Sequence, residues 1–245
     1  MSRMGFRIVT ATVMVLAVLV GWVYSAAAWD TGSGGDPAWG SVTLGGTSTD
    51  YGFGVAVDSS GNVYTTGHFQ GTVNFGAGNV TSAGSADVFV TKLNASGVHQ
   101  WTTTFGGTSV DYGYGVAVDS SGNVYATGYF QGTVNFGAGN VTSAGSADVF
   151  VTKLNASGVH QWTTTFGGTS NDYGFGVAVD SSGNVYTTGH FQGTVNFGAG
   201  NVTSAGSADV FVTKLNASGV HQWTTKFGGT SNDYGFGVAV DSSGN

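Results

Sequence analysis

Two short motifs in this 245-residue chain carry side chains that could bind a metal or move a proton. The first is Asp58-Ser59-Ser60-Gly61-Asn62, and the same five residues recur at 119–123, 180–184 and 241–245. A calcium-binding EF-hand loop needs further acidic ligands and a distal Glu, and the chain contains no Glu at all. We therefore expect hairpin turns in which Asp and Asn bind local backbone N–H groups, with calcium-stiffened turns as an alternative.

The second motif is His-Gln-Trp, whose histidines are His99, His160 and His221. Equal spacing places each histidine on a separate unit, so a shared metal would require the three to converge. A catalytic dyad needs a dedicated partner residue, and the pattern supplies none. We expect polar surface residues here, and the sequence predicts no catalytic, cofactor or metal site.

The tryptophans of the second motif could stack on sugars or pack between units. Their alternation with residues such as Thr103 and Phe105 favours packing; they are Trp101, Trp162 and Trp223. His68 and His190 occupy equivalent positions, where the intervening copy has Tyr129. That exchange suits a packing or binding position better than a catalytic one.

The chain is organised around a 61-residue repeat. The units span residues 45–105, 106–166 and 167–227, and a partial fourth covers 228–245. The first two copies differ at four positions (49/110, 53/114, 65/126 and 68/129), and the first and third differ at two (49/171 and 104/226). A fixed period of this length indicates stacked supersecondary units. Because enzyme sites need groups in different environments, near-identical units favour a binding scaffold.

Each unit contains four strand-like segments in two hairpins. In the first copy, residues 54–58 and 62–67 flank a Ser-Ser-Gly turn, whereas residues 87–93 and 98–105 flank Asn-Ala-Ser-Gly. Four strands in two hairpins are the content of a β-propeller blade. An insert of about 20 residues separates the hairpins, contains a short extra strand near residues 71–76 and is the best place to look for binding.

The pattern GVAVDSSGNVYxTG, followed by DVFVTKLNASG and WTTxFGG, resembles the bacterial SBBP β-propeller repeat of exported and surface proteins. The resemblance covers residues 45–245. It implies an all-β array of four-stranded antiparallel blades around an axis, and it implies no reaction. Three full repeats with partial ends are fewer than the roughly four to eight blades of a closed ring. We therefore expect an incomplete ring, from a truncated sequence or an open arc, whose strand edges could self-associate.

The first 28 residues have the pattern of a secretory signal peptide, with Arg3 and Arg7 before an apolar stretch and small residues at 25–28. An uncleaved membrane anchor is the alternative, but the apolar stretch is short for a span. Residues 29–37 are expected to be a flexible lead-in, and residues 38–245 the repeat domain. We expect a protein that is secreted, periplasmic or on the cell surface, with no membrane contact after cleavage.

The charge and composition of the chain limit the classes of partner that it can bind. Beyond residue 28, four Lys against 13 Asp give a net charge of −9, compared with −7 for the whole chain. Such a surface repels phosphate backbones, which argues against nucleic-acid binding. The predicted function is an exported, non-enzymatic scaffold whose repeated loops bind a protein or a glycan. The alternatives are a calcium-stiffened adhesion module and a propeller enzyme that cleaves polysaccharide with Asp58, Asp119 and Asp180.

Overall fold

The computed structural model describes residues 43–241 and 243–245. The predicted signal peptide (1–28), the lead-in (29–37) and the first residues of the repeat domain (38–42) lie outside the described residues. The described residues form strands, turns and loops, and they include no helix long and apolar enough to cross a membrane.

The strands recur at the same places in every unit. The first unit contains β1 (Gly45–Gly46), β2 (Tyr51–Val57), β3 (Val63–Phe69), β4 (Thr72–Asn74), β5 (Asn79–Thr81), β6 (Asp87–Leu93) and β7 (His99–Phe105). The second contains β8 (Tyr112–Val118), β9 (Val124–Phe130), β10 (Thr133–Asn135), β11 (Asn140–Thr142), β12 (Asp148–Leu154) and β13 (His160–Phe166). The third contains β14 (Tyr173–Val179), β15 (Val185–Phe191), β16 (Thr194–Asn196), β17 (Asn201–Thr203), β18 (Asp209–Leu215) and β19 (His221–Phe227).

Each full unit builds one four-stranded antiparallel sheet, in the orders β2-β3-β6-β7, β8-β9-β12-β13 and β14-β15-β18-β19. This confirms the predicted blade of two hairpins. The insert folds as a separate hairpin, β4–β5 in the first unit, with Thr72 opposite Thr81 and Asn74 opposite Asn79. The extra strand expected in the insert is thus one arm of a hairpin, and β1 pairs with β4 along its other edge.

The sheets stack through their first strands. Strand β8 contacts both β2 and β14, the first strands of the neighbouring units. The approach is close enough to require glycine, because a Cβ on Gly54 would lie 2.7 Å from the Tyr114 carbonyl oxygen and one on Gly115 would lie 2.7 Å from that of Phe175. First strands therefore lie innermost, and the chain is an open, propeller-like array of antiparallel blades.

The core lies between successive sheets. Val116 on β8 packs against Val88, Val90 and Phe105 of the first unit and is 9% exposed. Its counterpart Val55 on β2 is 68% exposed, because no preceding sheet covers β2 within the described residues. In the part of the chain that the structure describes, the first sheet thus presents an uncovered apolar face. Self-association through that end of the array stays a prediction.

The partial fourth unit extends the array in the same way. The backbone N–H of Asp233 donates to the Ala208 carbonyl at 2.8 Å, as that of Asp111 does to Ala86 at 2.9 Å. At the far end, the Tyr186 hydroxyl donates to the Gly244 carbonyl at 3.1 Å. The segment from 228 onward therefore docks on the third sheet as an inner strand docks elsewhere.

Candidate binding surface

The recurrent Asp turns are internally satisfied. In the second unit, Asp119 Oδ1 accepts the backbone N–H groups of Ser121 and Asn123, each at 2.9 Å. Its Oδ2 accepts the Asn123 side-chain amide at 2.8 Å and the Tyr125 hydroxyl at 3.0 Å. Burial alone would raise the pKa of Asp119, but these hydrogen bonds hold that pKa below its usual value. Such a carboxylate suits a hairpin turn and makes a poor general acid.

Substituting Asp119 by Ala should destabilise the array by about 2 kcal/mol, because it leaves the fully buried Tyr125 hydroxyl and two backbone donors without their acceptor. Urea unfolding followed by tryptophan fluorescence measures the change. Asp241→Ala is the matched control, since Asp241 is exposed and its carboxylate accepts no tyrosine hydroxyl among the described residues. Equal losses in the two variants would contradict the role assigned to the buried turn.

Each histidine of the His-Gln-Trp motif begins the outer strand of its unit and contacts the insert of the same unit. His160 Nε2 lies 2.9 Å from the Thr163 hydroxyl. A Cβ on Gly137, in the insert turn, would lie 2.7 Å from His160 Cβ, so ring and turn are in direct contact. Burial lowers the pKa of His160. Among the described residues, no group of three or more His or Asp side chains is placed to hold a metal ion.

The tryptophans join neighbouring units. Trp101 Nε1 donates to the Ala156 carbonyl at 3.1 Å, and the adjacent Thr103 hydroxyl donates to the Gly158 carbonyl at 2.6 Å. The second and third units repeat this pair of bonds. Trp223, on the last outer strand, is 41% exposed. Of the two alternatives open from the sequence, the geometry of Trp101 and Trp162 is that of packing between units.

A chain of aromatic rings follows the inner strands around the axis. Phe53 and Tyr114 have ring centroids 4.9 Å apart, Tyr114 and Phe175 4.9 Å, and Phe175 and Phe236 5.3 Å. Burial raises the pKa of Tyr114 to about 12. Sequence reasoning missed this row. Its signal was the Tyr-Gly-Phe/Tyr-Gly pattern at the start of each inner strand, where alternate residues share one face.

A groove recurs where the insert of one unit meets the outer strand of the unit before it. Between the first and second units it has a volume of about 480 Å³, and between the second and third about 400 Å³. The first groove is lined by Thr103, Thr104, Asn135, Phe136, Gly137, Val159 and His160. The second is lined by Thr164, Thr165, Phe166, Asn196, Phe197, Gly198, Val220 and His221. Residues of an insert thus line part of each groove.

The groove offers polar and apolar groups side by side. The Asn135 side-chain oxygen is engaged, since it accepts the N–H groups of Gly137 at 2.8 Å and Gly139 at 3.2 Å. Its Nδ2 donor and the Thr104 hydroxyl have no intramolecular partner within the described residues. Phe136 forms an apolar floor, and Val159 is exposed at the edge. Free donors beside an apolar surface are what a polar ligand with apolar faces requires.

A family model matches part of each unit. The SBBP beta-propeller repeat matches residues 43–68, 100–129, 161–190 and 222–245. In the full units each match runs from an outer strand into the next inner hairpin. The inserts, including Asn135 and Phe136, lie outside the matched segments.

Two relatives share part of this sequence. "Regulatory protein FlaEY" of Caulobacter vibrioides is 30% identical over 167 residues, 65% of this chain and 18% of that protein. "Uncharacterized WD repeat-containing protein L264" of Acanthamoeba polyphaga mimivirus is 24% identical over 234 residues, 75% of this chain and 17% of that protein. The chain thus spans less than a fifth of either relative. Together with the stacked four-stranded sheets, the four matches support assignment of these units to the SBBP beta-propeller repeat family.

Proposed function

We propose that this chain is an exported, non-enzymatic repeat scaffold that binds a neutral polysaccharide through the recurrent grooves beside its inserts. The observation that carries the proposal is the groove itself, which recurs with the same residue types between successive units. Each groove offers a free amide and hydroxyl beside an exposed valine. Sugars present hydroxyl groups and apolar ring faces, so they complement such a surface.

Charge favours a neutral glycan over an acidic one. The chain has a net charge of −7, and neither groove is lined by a Lys or Arg side chain. Each groove is shallow and should bind weakly. A long polysaccharide can engage two grooves at once, and linkage of weak sites raises affinity by roughly 10²–10⁴ where the spacing fits.

Isothermal titration calorimetry tests this with a neutral α-glucan, a neutral β-glucan and alginate as the acidic comparison. We expect one neutral polysaccharide to bind at more than one site per chain. The double variant N135D/N196D removes the free Nδ2 donors but keeps the oxygens that cap the insert turns. Loss of one hydrogen bond per groove should weaken binding about tenfold.

The double variant N155D/N216D is the charge-matched control, because Asn155 and Asn216 also cap turns through their side-chain oxygens but line neither groove. Its binding should equal that of the parent chain. Equal weakening by N155D/N216D and N135D/N196D would overturn the proposal, as would one tight site per chain. Absence of binding to every polysaccharide would leave a protein as the partner and also overturn it.

A further inference from the structure

In the third unit, two oxygen atoms hold the ammonium group of Lys226, which lies near the end of the outer strand β19. Lys226 Nζ donates to the Thr203 carbonyl at 2.7 Å and lies 3.4 Å from Asp209 Oδ2. The Asp209 side chain is fully buried. The ammonium is therefore the counter-ion of a carboxylate that solvent does not reach.

The first two units keep the carboxylate but lack the lysine. Asp87 and Asp148 occupy the position of Asp209, whereas Thr104 and Thr165 occupy that of Lys226. Asp87 is 5% exposed and Asp148 4%. In each, Oδ2 accepts one backbone N–H at 2.8 Å, and Oδ1 has no hydrogen-bond partner of normal geometry.

A second buried carboxylate lies near each of these. Asp111 is fully buried and accepts the N–H groups of Gly107 at 2.8 Å and Gln131 at 2.9 Å. Burial and, to a smaller extent, the charge of Asp87 raise the pKa of Asp111 to about 6 despite these bonds. Burial and the charge of Asp148 raise the pKa of Asp172 to about 6 in the same way. Two neighbouring buried carboxylates are costly unless a cation or a proton compensates them.

We propose that the first and second units each bind a divalent cation where the Lys226 ammonium lies in the third. In the first unit the direct ligands are the Asp87 carboxylate and the Thr81 carbonyl, and the Thr104 hydroxyl binds a water of the ion's shell. In the second they are the Asp148 carboxylate and the Thr142 carbonyl, and the Thr165 hydroxyl has the same role. The second carboxylate of each junction, Asp111 or Asp172, supplies the remaining negative charge without giving up its backbone hydrogen bonds.

The ligand set fits calcium. Ca²⁺ accepts carboxylate, carbonyl and hydroxyl oxygens in irregular geometry and completes its shell with water, whereas Mg²⁺ demands near-ideal octahedral geometry. With one directly bound carboxylate per site, affinity should be weak, on the order of 10⁻⁴–10⁻³ M, the range of extracellular modules. These sites are distinct from the Asp58-type turns, whose carboxylate oxygens are already engaged.

Thermal melting with Ca²⁺ alone as the probe tests the inference. At pH 7, adding Ca²⁺ at about ten times its Kd after EDTA treatment should raise the Tm by several degrees. The same concentration of Mg²⁺ should raise it less. The double variant T104K/T165K copies the lysine that the third unit already carries, so it should fold, melt higher without Ca²⁺, and lose the Ca²⁺ response.

The reverse substitution is the matched control. K226T frees a third carboxylate, so it should melt lower without Ca²⁺ and respond more strongly than the parent chain. An unchanged Ca²⁺ response in T104K/T165K would overturn the inference, because the bound ion would lie elsewhere. Absence of any Ca²⁺ response in the parent chain would also overturn it, and it would leave Asp87 and Asp148 compensated by protons.

Discussion

Replacement of Gly128 by Ala should destabilise the protein by at least about 3 kcal/mol, at the upper end of the cost of overpacking a core. A Cβ at this position would lie 1.8 Å from the Tyr112 carbonyl oxygen and 2.8 Å from the Phe150 ring. Gly128 pairs with Gly113 beside the register shift between Gly113 and Gly115. The clash is therefore with backbone in the middle of a sheet, where no side-chain rotation relieves it.

Gly229→Ala is the control for this prediction, because a Cβ there has no atom within 4 Å and its φ is ordinary. Gly67→Ala should lie between the two. It makes the same 1.8 Å clash with Tyr51, but among the described residues no sheet packs on the outer side of β2, so β2 can shift. The urea midpoint should be highest for Gly229→Ala, intermediate for Gly67→Ala and lowest for Gly128→Ala. A midpoint for Gly128→Ala within error of that for Gly229→Ala would mean that β8 and β9 do not approach at Gly128 as closely as described.

The strands of each unit were predictable because local chemistry specifies them. The segment at residues 87–93 alternates around β-branched and aromatic residues, and strand β6 has those same bounds. The turn at residues 94–97 was predictable from Asn and Gly, and Asn94 does accept the N–H groups of Ser96 and Val98.

Contacts between units were not predictable in the same way. The backbone N–H of Asp111 donates to the Ala86 carbonyl of the unit before it, and Trp101 Nε1 donates to the Ala156 carbonyl, 55 residues away. The groove was also not predictable from the sequence, because its two walls come from different copies that have nearly the same sequence. One signal was available: Thr104 and Lys226 are among the few differences between copies, and a charge gained in one copy points to an uncompensated charge in the others.

The double variant H68Y/H190Y should resist acid better than the parent chain. His68 is 2% exposed and His190 4%, and neither Nδ1 has a hydrogen-bond partner. His68 stacks on Tyr112 with centroids 3.7 Å apart. Burial lowers the pKa of both histidines to about 4. Tyrosine suits this position, because Tyr129 already fills it in the second unit and packs 4.4 Å from Tyr173.

The sign of the effect follows from proton linkage. Above pH 6.5 both histidines are neutral in the folded and unfolded chains, and their full contribution to stability is present. Between pH 6.5 and 4 only the unfolded chain gains protons, so stability is lost by up to about 3 kcal/mol per histidine. Asp111 and Asp172 act in the opposite sense, because a folded pKa of about 6 favours the folded state as pH falls.

These opposing contributions should leave the parent chain with a shallow pH profile between pH 4 and 6.5. Removing the histidines exposes the aspartate contribution, so the unfolding free energy of H68Y/H190Y should rise as pH falls through this window. Urea unfolding at several pH values measures both profiles, and their difference isolates the histidines because every other titrating group is shared. A difference that stays constant from pH 7.5 to 4.5 would show that both histidines protonate in the folded chain, contrary to their burial beneath the aromatic row.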